Sequence, residues 1–287
     1  MTSSIGGALI TGGAIRLGAA IVERLARAGL PVAIHCNRAT YAAELLSQRL
    51  RVEYGGKTCV VTGDLAISDP SSLIGESRSR LGVPLALLVN SASVFNPDAA
   101  EDFDAESFSA HMDVNLRAPL LLSQCFAAQA PSGSLIVNLL DQRVLHPSPR
   151  YYTYTLSKCA LHAATRMMAQ AFAPKVRVNG VAPGLTLANA RQDTAELQRR
   201  IATLPLRRGG SPEEVADVIA FLLSCPSVTG QTIAVDGGQH LAWQTPDALP
   251  SSQAQIRTRE RPAWGQHACV LVHKITLDLD HSPFRCG

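Results

Sequence analysis

The sequence predicts an α/β fold: a single domain built on a doubly wound parallel sheet of about seven strands, followed by a C-terminal tail. Three observations carry this expectation. Short β-rich apolar runs alternate with amphipathic segments, the pattern of repeated βαβ units. The runs are continuously apolar rather than alternating, as strands buried on both faces are. The first run leads directly into a glycine-rich turn and then a helical pattern.

Taken in order, the expected strands are Gly7–Thr11, Val32–Cys36, Thr58–Thr62, Leu85–Asn90, Ser134–Leu139, Arg177–Val181 and Thr232–Val235. Helical patterns cover Leu17–Ala28, Ala42–Val52, Ser107–Gln129, Thr153–Phe172 and Pro212–Leu223. Ser211-Pro212-Glu213-Glu214 supplies a helix start, with a capping serine, proline in the first turn and acids at the positive end. The pattern changes after Trp243, so residues 1–243 form the expected domain and 244–287 an extension. Gln244–Arg261 is rich in Pro, Ser, Gln and Arg and reads as a linker; Cys269–Asp280 is one isolated β-like run. A lone strand builds no core, so the extension is disordered, docked on the domain, or the start of something truncated.

Composition narrows the function classes. Net charge is +3, with both signs interspersed, which argues against bulk nucleic-acid binding. The longest apolar stretch near the middle, Val83 to Val89, suits a buried strand and is far too short to span a membrane. The N-terminus lacks the basic start of a signal peptide. Seven cysteines with no C-x-x-C pair read as reduced thiols, and Cys36, Cys125, Cys159 and Cys225 as small core residues. A soluble cytoplasmic protein is expected. Cys269, His273, His281 and Cys286 are zinc-ligand types, but their spacing fits no compact zinc pattern and no metal site is expected. Arg191, Arg199, Arg200, Arg207 and Arg208 form a basic stretch, either a solvated face or a cover over a site.

The turn Thr11-Gly12-Gly13-Ala14-Ile15-Arg16-Leu17-Gly18 stands at the first strand–helix junction. There, backbone N–H groups and the helix N-terminus can meet a pyrophosphate, and glycines allow close approach, as in a Rossmann-like fold. Nineteen residues beyond Gly18, at the end of the second strand, stand Asn37 and Arg38. An NAD site would place an acid near here to bind the ribose hydroxyls. A guanidinium instead grips a 2′-phosphate, so NADPH is the expected cofactor; the alternative for Arg38 is a solvated loop residue. Asp64-Leu65 ends the third strand, where Asp64 either holds the adenine edge or caps a helix.

Tyr154 and Lys158 are four residues apart near the start of a helical segment, so phenol and ammonium share a face. The nearby cation is expected to lower the phenol's pKa from about 10 toward operating pH. Tyr151 and Tyr152 read as packing residues. With these motifs in order, the chain resembles a short-chain dehydrogenase/reductase over roughly residues 5–243. The shared segments are Thr11–Gly18, Asn90-Ser91-Ala92-Ser93, Asn115, Tyr154/Lys158, Pro183-Gly184 and Asp236-Gly237-Gly238. The resemblance implies Tyr154 as proton donor, Lys158 on the nicotinamide ribose lowering the phenol's pKa, and Asn115 on a relay water. It places Pro183-Gly184 and Thr186 along the nicotinamide and pyrophosphate, and it implies a homotetramer.

Three departures point to a subgroup. Arg16 replaces the usual middle glycine of the turn, and Ser91-Ala92-Ser93 replaces Asn-Ala-Gly. Asp141 stands where most members carry a catalytic serine. With Phe95, these features resemble the pteridine reductases, including the dihydromonapterin reductases. A serine donates to a ketone oxygen; an ionised aspartate cannot, and it opposes phenolate formation in Tyr154. Protonated, or coupled to Tyr154, it can pass a proton to a ring nitrogen, as pterin C=N reduction requires. Phe95 is expected to stack on a flat heterocycle, and Arg16 to contact the pyrophosphate and a polar pterin edge; Ser93 joins them in the substrate set. The alternatives are a core phenylalanine, a helix-start arginine and, for Asp141, a structural cap. A reductase of another small carbonyl or imine and a non-catalytic NADPH-binding member remain open readings.

Overall fold

The computed structural model describes residues 6–186 and 194–242. Seven parallel strands form one sheet in the order β3-β2-β1-β4-β5-β6-β7. They are β1 (Gly7–Ile10), β2 (Val32–Cys36), β3 (Thr58–Thr62), β4 (Leu85–Asn90), β5 (Ser134–Leu139), β6 (Val176–Pro183) and β7 (Thr232–Val235). The helices are α1 (Arg16–Arg27), α2 (Thr40–Tyr54), α3 (Pro70–Leu81), α4 (Ala105–Met112), α5 (Ala118–Gln129), α6 (Tyr152–Phe172), α7 (Thr194–Ala202) and α8 (Pro212–Ser224). The doubly wound expectation is met. The extension, with its expected linker and isolated strand, lies outside the described residues, as do Trp243 and Arg191.

Continuous burial of the strands reflects two cores, one on each face. On one face Ile21 and Leu25 of α1, Leu46 and Leu50 of α2, and Val215 and Ile219 of α8 pack on Ile10, Ile34, Val89 and Val137. On the other, Leu73 and Ile74 of α3, Leu122 and Phe126 of α5, and Met168 of α6 pack on Leu9, Val61, Leu88 and Val178. Strand order reverses between β1 and β4, and the crevice beyond the carboxyl ends there is where open α/β sheets take ligands.

The serine start of α8 is a full capping box: Ser211 Oγ accepts from Glu214 N, and Glu214 Oε2 accepts from Ser211 N. Two expectations need correction. The helix over Ser107–Gln129 is two helices joined by a π-turn at Asp113–Arg117, which holds Asn115. Helix α3 has no counterpart among the expected elements, because its first residues are polar and Gly75 interrupts its pattern. Its ends were nonetheless readable: Asp69 caps Ser71 N and Ser72 N, Pro70 follows, and Gly82 closes it in the left-handed region. Among the free cysteines Cys36 is buried in the core, Cys125 and Cys159 are half-buried and pack against it, and Cys225 is half-buried at the end of α8.

Candidate active site

Two cavities lie beside the carboxyl ends of the central strands, and Tyr154 lines both. The larger, 570 Å³, is lined by Gly12, Arg16, Leu17, Gly18, Asn37, Asp64, Leu65, Ala92, Ser93 and Phe95 among others. The smaller, 180 Å³, is lined by Arg16, Phe95, Asp141, Gln142, Arg143, Tyr151, Gly184, Thr186, Arg200 and Gln239 among others.

The larger cavity is shaped by backbone contact. A Cβ added to Gly18 would sit 2.0 Å from Gly12 O, and one on Gly12 would sit 2.9 Å from Ala92 Cα. Neither side chain fits, so the turn closes tightly on α1 and on the end of β4. Thr11 braces the same junction: its Oγ1 accepts from Ser91 N (3.0 Å) and Ala92 N (3.1 Å). His35, absent from the sequence-derived set, pins the turn from below. Its Nδ1 accepts from Gly12 N (3.3 Å), so Nε2 carries the proton and donates to Gly63 O (3.1 Å). Burial pushes its pKa down, consistent with a neutral ring. This cradle, at the start of α1, fits the phosphates of a dinucleotide.

Arg16 adopts a backbone conformation that favours glycine. Its φ is 55°, in the left-handed region, which costs a non-glycine residue about 1–2 kcal/mol. Arg16 lines both cavities.

Not every expected cofactor residue lines the larger cavity. Asn90 is buried and turned under the sheet, where Nδ2 donates to Asn138 Oδ1 (2.8 Å) and Ser123 Oγ (3.2 Å). Its side chain braces β4 against β5 and α5. Arg38 is exposed beside Asn37 and absent from the lining. Asp64 lines the cavity and accepts from Ala66 N (2.9 Å) in a turn; it caps no helix, since the next one, α3, is capped by Asp69. Gly184 and Thr186 lie in the smaller cavity, next to Asp141, and Pro183 is buried at the end of β6.

Asp141 and Tyr154 meet as the resemblance implied: the phenol donates to Asp141 Oδ2 at 3.1 Å. Asp141 also caps the 3-10 turn Gln142–Val144, accepting from Arg143 N (2.9 Å). The expectation that Lys158 draws the phenol's pKa down is overturned. Burial and then Asp141 hold it well above 10, and the Arg143 charge acts the other way. Lys158 is itself buried, donates to Leu139 O (2.8 Å), and has its pKa pushed down by burial to about 8.

Asn115 is fully buried in the π-turn. Its Oδ1 accepts from Val94 N (2.8 Å) and Ser93 Oγ (3.2 Å), and Nδ2 donates to Val94 O (2.9 Å) and Ser157 Oγ (3.1 Å). Those four bonds use its whole capacity, so the side chain clamps the end of β4 to α6 and has no polar atom left for a relay water. A second brace sets the start of α6. His111 Nε2 accepts from Asn96 N (3.1 Å), so Nδ1 donates to Thr153 Oγ1 (2.7 Å), which donates to Asp98. Asp98 also accepts from Thr153 N, one residue before Tyr154.

Phe95 is 37% exposed, stacked on Tyr151 at 4.3 Å and edge-on to Tyr154 at 4.6 Å. It is a pocket wall rather than a core residue. Tyr151, read from the sequence as packing, lines the same pocket. Arg143 and Gln239 were missed as well, while Arg200, one of the basic stretch offered as a cover over a site, lines this pocket. The nearness of Arg143 to Asp141 in sequence was the one available signal, whereas Gln239 arrives from a distant element. Among the described residues, no cluster of metal-ligating side chains exists, and no helix is long and apolar enough to cross a membrane.

Residues 13–240 match the family described as enoyl-(acyl carrier protein) reductase, a group of short-chain dehydrogenases/reductases. The chain belongs to the short-chain dehydrogenase/reductase family. Within this family of oxidoreductases, the FolM alternative dihydrofolate reductase 1 from Brucella canis, solved with NADP, is 42% identical. That comparison covers 87% of this chain and all of the other, with a TM-score of 0.81. Pteridine reductase 1 from Leishmania tarentolae is 31% identical, covering 82% of this chain and 96% of the relative. Glucose 1-dehydrogenase from Gluconobacter oxydans is also 31% identical, covering 80% and 90% respectively.

Proposed function

We propose that the protein reduces a dihydropterin, of the dihydrobiopterin, dihydromonapterin or dihydrofolate type, to the tetrahydro form with NADPH. One observation carries the reading: the Tyr154 hydroxyl donates to the carboxylate of Asp141, not to a serine, where the two cavities meet. Phe95 supplies a flat wall for a heterocycle beside this pair, and Arg16 reaches both cavities. The likeness to pteridine reductase 1 and to the NADP-bound FolM structures supports the same reading.

NADPH, when bound, supplies a hydride to the carbon of the ring C=N bond and leaves as NADP+. The protein's task is to place a proton on the nitrogen, which completes CH–NH. Burial and Asp141 both oppose ionisation of Tyr154, which favours the phenol form that has a proton to give. Phenol and carboxylate hold that proton between them, and a ring nitrogen at the mouth of the smaller cavity replaces Asp141 as its acceptor. Two buried anions side by side are costly, which draws a solvent proton back to the pair. In the larger cavity Gly12, Gly18 and the start of α1 would hold the pyrophosphate, with Asn37 and Arg38 at the 2′-phosphate end and Asp64 and Leu65 at the adenine. Lys158, with one of its three donors on Leu139 O, would hold the nicotinamide ribose with the others.

Residues 1–243 would then be the reductase domain and 244–287 its extension, in a cytoplasmic homotetramer, a state that light scattering would test. The deciding experiment is NADPH oxidation with dihydrobiopterin, dihydromonapterin and dihydrofolate beside a panel of small ketones and imines. Turnover of at least one dihydropterin is expected. Turnover confined to the ketones, or tight NADPH binding with no turnover at all, would overturn the reading.

A further inference from the structure

The proton-delivering pair has a second cation beside it. Nη1 of Arg143 lies 3.2 Å from Oδ1 and 3.1 Å from Oδ2 of Asp141, and the backbone N–H of Arg143 donates to Oδ1. Both side chains are only 16% exposed. The guanidinium is held from another direction too, its central carbon 5.7 Å from the Phe95 ring and 5.2 Å from that of Tyr151. Those two rings stack on each other, so Arg143 is confined between a carboxylate and an aromatic pair.

Lys158 does not occupy the equivalent place. Its ammonium is bound to Leu139 O, and it lies 5.8 Å from the centre of the Tyr154 ring, with no hydrogen bond to the hydroxyl. The charged or titratable groups facing Tyr154 are therefore Asp141, Arg143, Lys158 and the edge of His111. Of these, only Arg143 is a cation bonded to the phenol's own acceptor.

We propose that Arg143 is a positioning residue for proton delivery: it locks the Asp141 carboxylate against the Tyr154 hydroxyl and balances its charge while the phenol gives up its proton. The proposal rests on the reading of Asp141 and Tyr154 as the proton-delivering pair. Oδ1 takes two donors from Arg143, so the carboxylate cannot rotate and Oδ2 stays presented to the phenol. As the proton leaves Tyr154, negative charge builds 3.1 Å from Oδ2 in a half-buried site. A fixed cation on the far side of that carboxylate offsets the repulsion, and it requires no reorganisation when the charge appears. Arg143 indeed opposes Asp141 in setting the phenol's proton affinity. A planar guanidinium suits this place better than an ammonium, since it lies along the aromatic faces while its N–H bridges two oxygens.

The test uses the full chain and two readouts. The first needs no substrate: the tyrosinate titration that disappears in Tyr154→Phe, followed in Arg143→Met and Arg143→Lys. Arg143→Met is expected to raise that titration by about one pH unit, and Arg143→Lys to restore most of the difference. The second is turnover of 7,8-dihydrofolate and 7,8-dihydrobiopterin. Arg143→Met should lower kcat roughly tenfold with KM little changed, and should cost almost nothing in an Asp141→Asn background, where the carboxylate it positions is gone. An unmoved titration, or an equal loss in both backgrounds, would overturn the proposal. If Arg143→Met does not fold, Arg143→Gln removes the charge and keeps hydrogen-bonding groups. If neither dihydropterin is turned over, the functional reading fails while the titration still decides the role of Arg143.

Discussion

The two cavities that meet at Tyr154 are built by different means. The larger rests on a backbone frame of glycines too crowded for a Cβ, a braced strand end and the start of a helix, lined besides by side chains such as Leu17, Asn37 and Leu65. The smaller is made of side chains brought from the end of β4, the turn after β5, the start of α6, the loop after β6, α7 and the segment after β7. In the proposed reading the backbone-framed cavity takes the cofactor and tolerates little change. The side-chain-built cavity changes residue by residue and would set substrate choice.

The largest effect should separate the two cavities cleanly. Tyr154→Phe is expected to lower turnover by about 10²–10⁴-fold while NADPH still binds with near-native affinity, measured by fluorescence titration. Asp141→Ser should behave likewise toward dihydropterins; normal pterin reduction by that variant would break the proton-pair argument. The opposite separation comes from Gly18→Ala. Its methyl group would collide with Gly12 O, a backbone atom that cannot yield. A loss of about 1–3 kcal/mol in stability is expected, and NADPH affinity should fall with it.

A smaller effect tests the far end of the larger cavity. Arg38→Asp should shift preference from NADPH toward NADH by about tenfold or more, the worth of one charged hydrogen bond to phosphate. An unchanged ratio of kcat/KM values would remove Arg38 from the phosphate site, a live outcome because its side chain stands outside the cavity lining.

The smallest effect compares one titrating group from each region. His35 beneath the glycine turn and His111 behind Tyr154 are both buried, and burial lowers the pKa of both. Unfolding lets each take up a proton near pH 6.5, while the folded protein resists until lower pH. The stability linked to them is therefore complete above about pH 6.5 and is lost as pH falls below it. The urea midpoint should decline on acidification, and His35→Gln and His111→Gln should each flatten that decline.

The sheet was legible in the sequence because a strand buried on both faces must be apolar throughout, and all seven runs stood out for that reason. Helix α3 was hidden because its polarity carries little periodic signal, and the π-turn at Asn115 leaves no mark in composition. The pairing of Tyr154 with Asp141 was readable through the family resemblance, and the structure brings the two together across the connection from β5 to α6. The Asn90 side chain turns under the sheet rather than toward the larger cavity, since a polar residue at a strand end can face either way and only packing decides which.

The sequence by itself determined the fold class and the glycine turn, which follow from periodicity and local spacing, and through family resemblance it singled out Tyr154 and Asp141 as the candidate pair. The tertiary structure alone decided the electrostatics around that pair. It buried Lys158 against Leu139 O, set Arg143 on Asp141 and raised the phenol's pKa, contrary to expectation. The reason is physical: desolvation and Coulomb interaction depend on distance and surroundings in space, and neither is written in the order of residues along the chain.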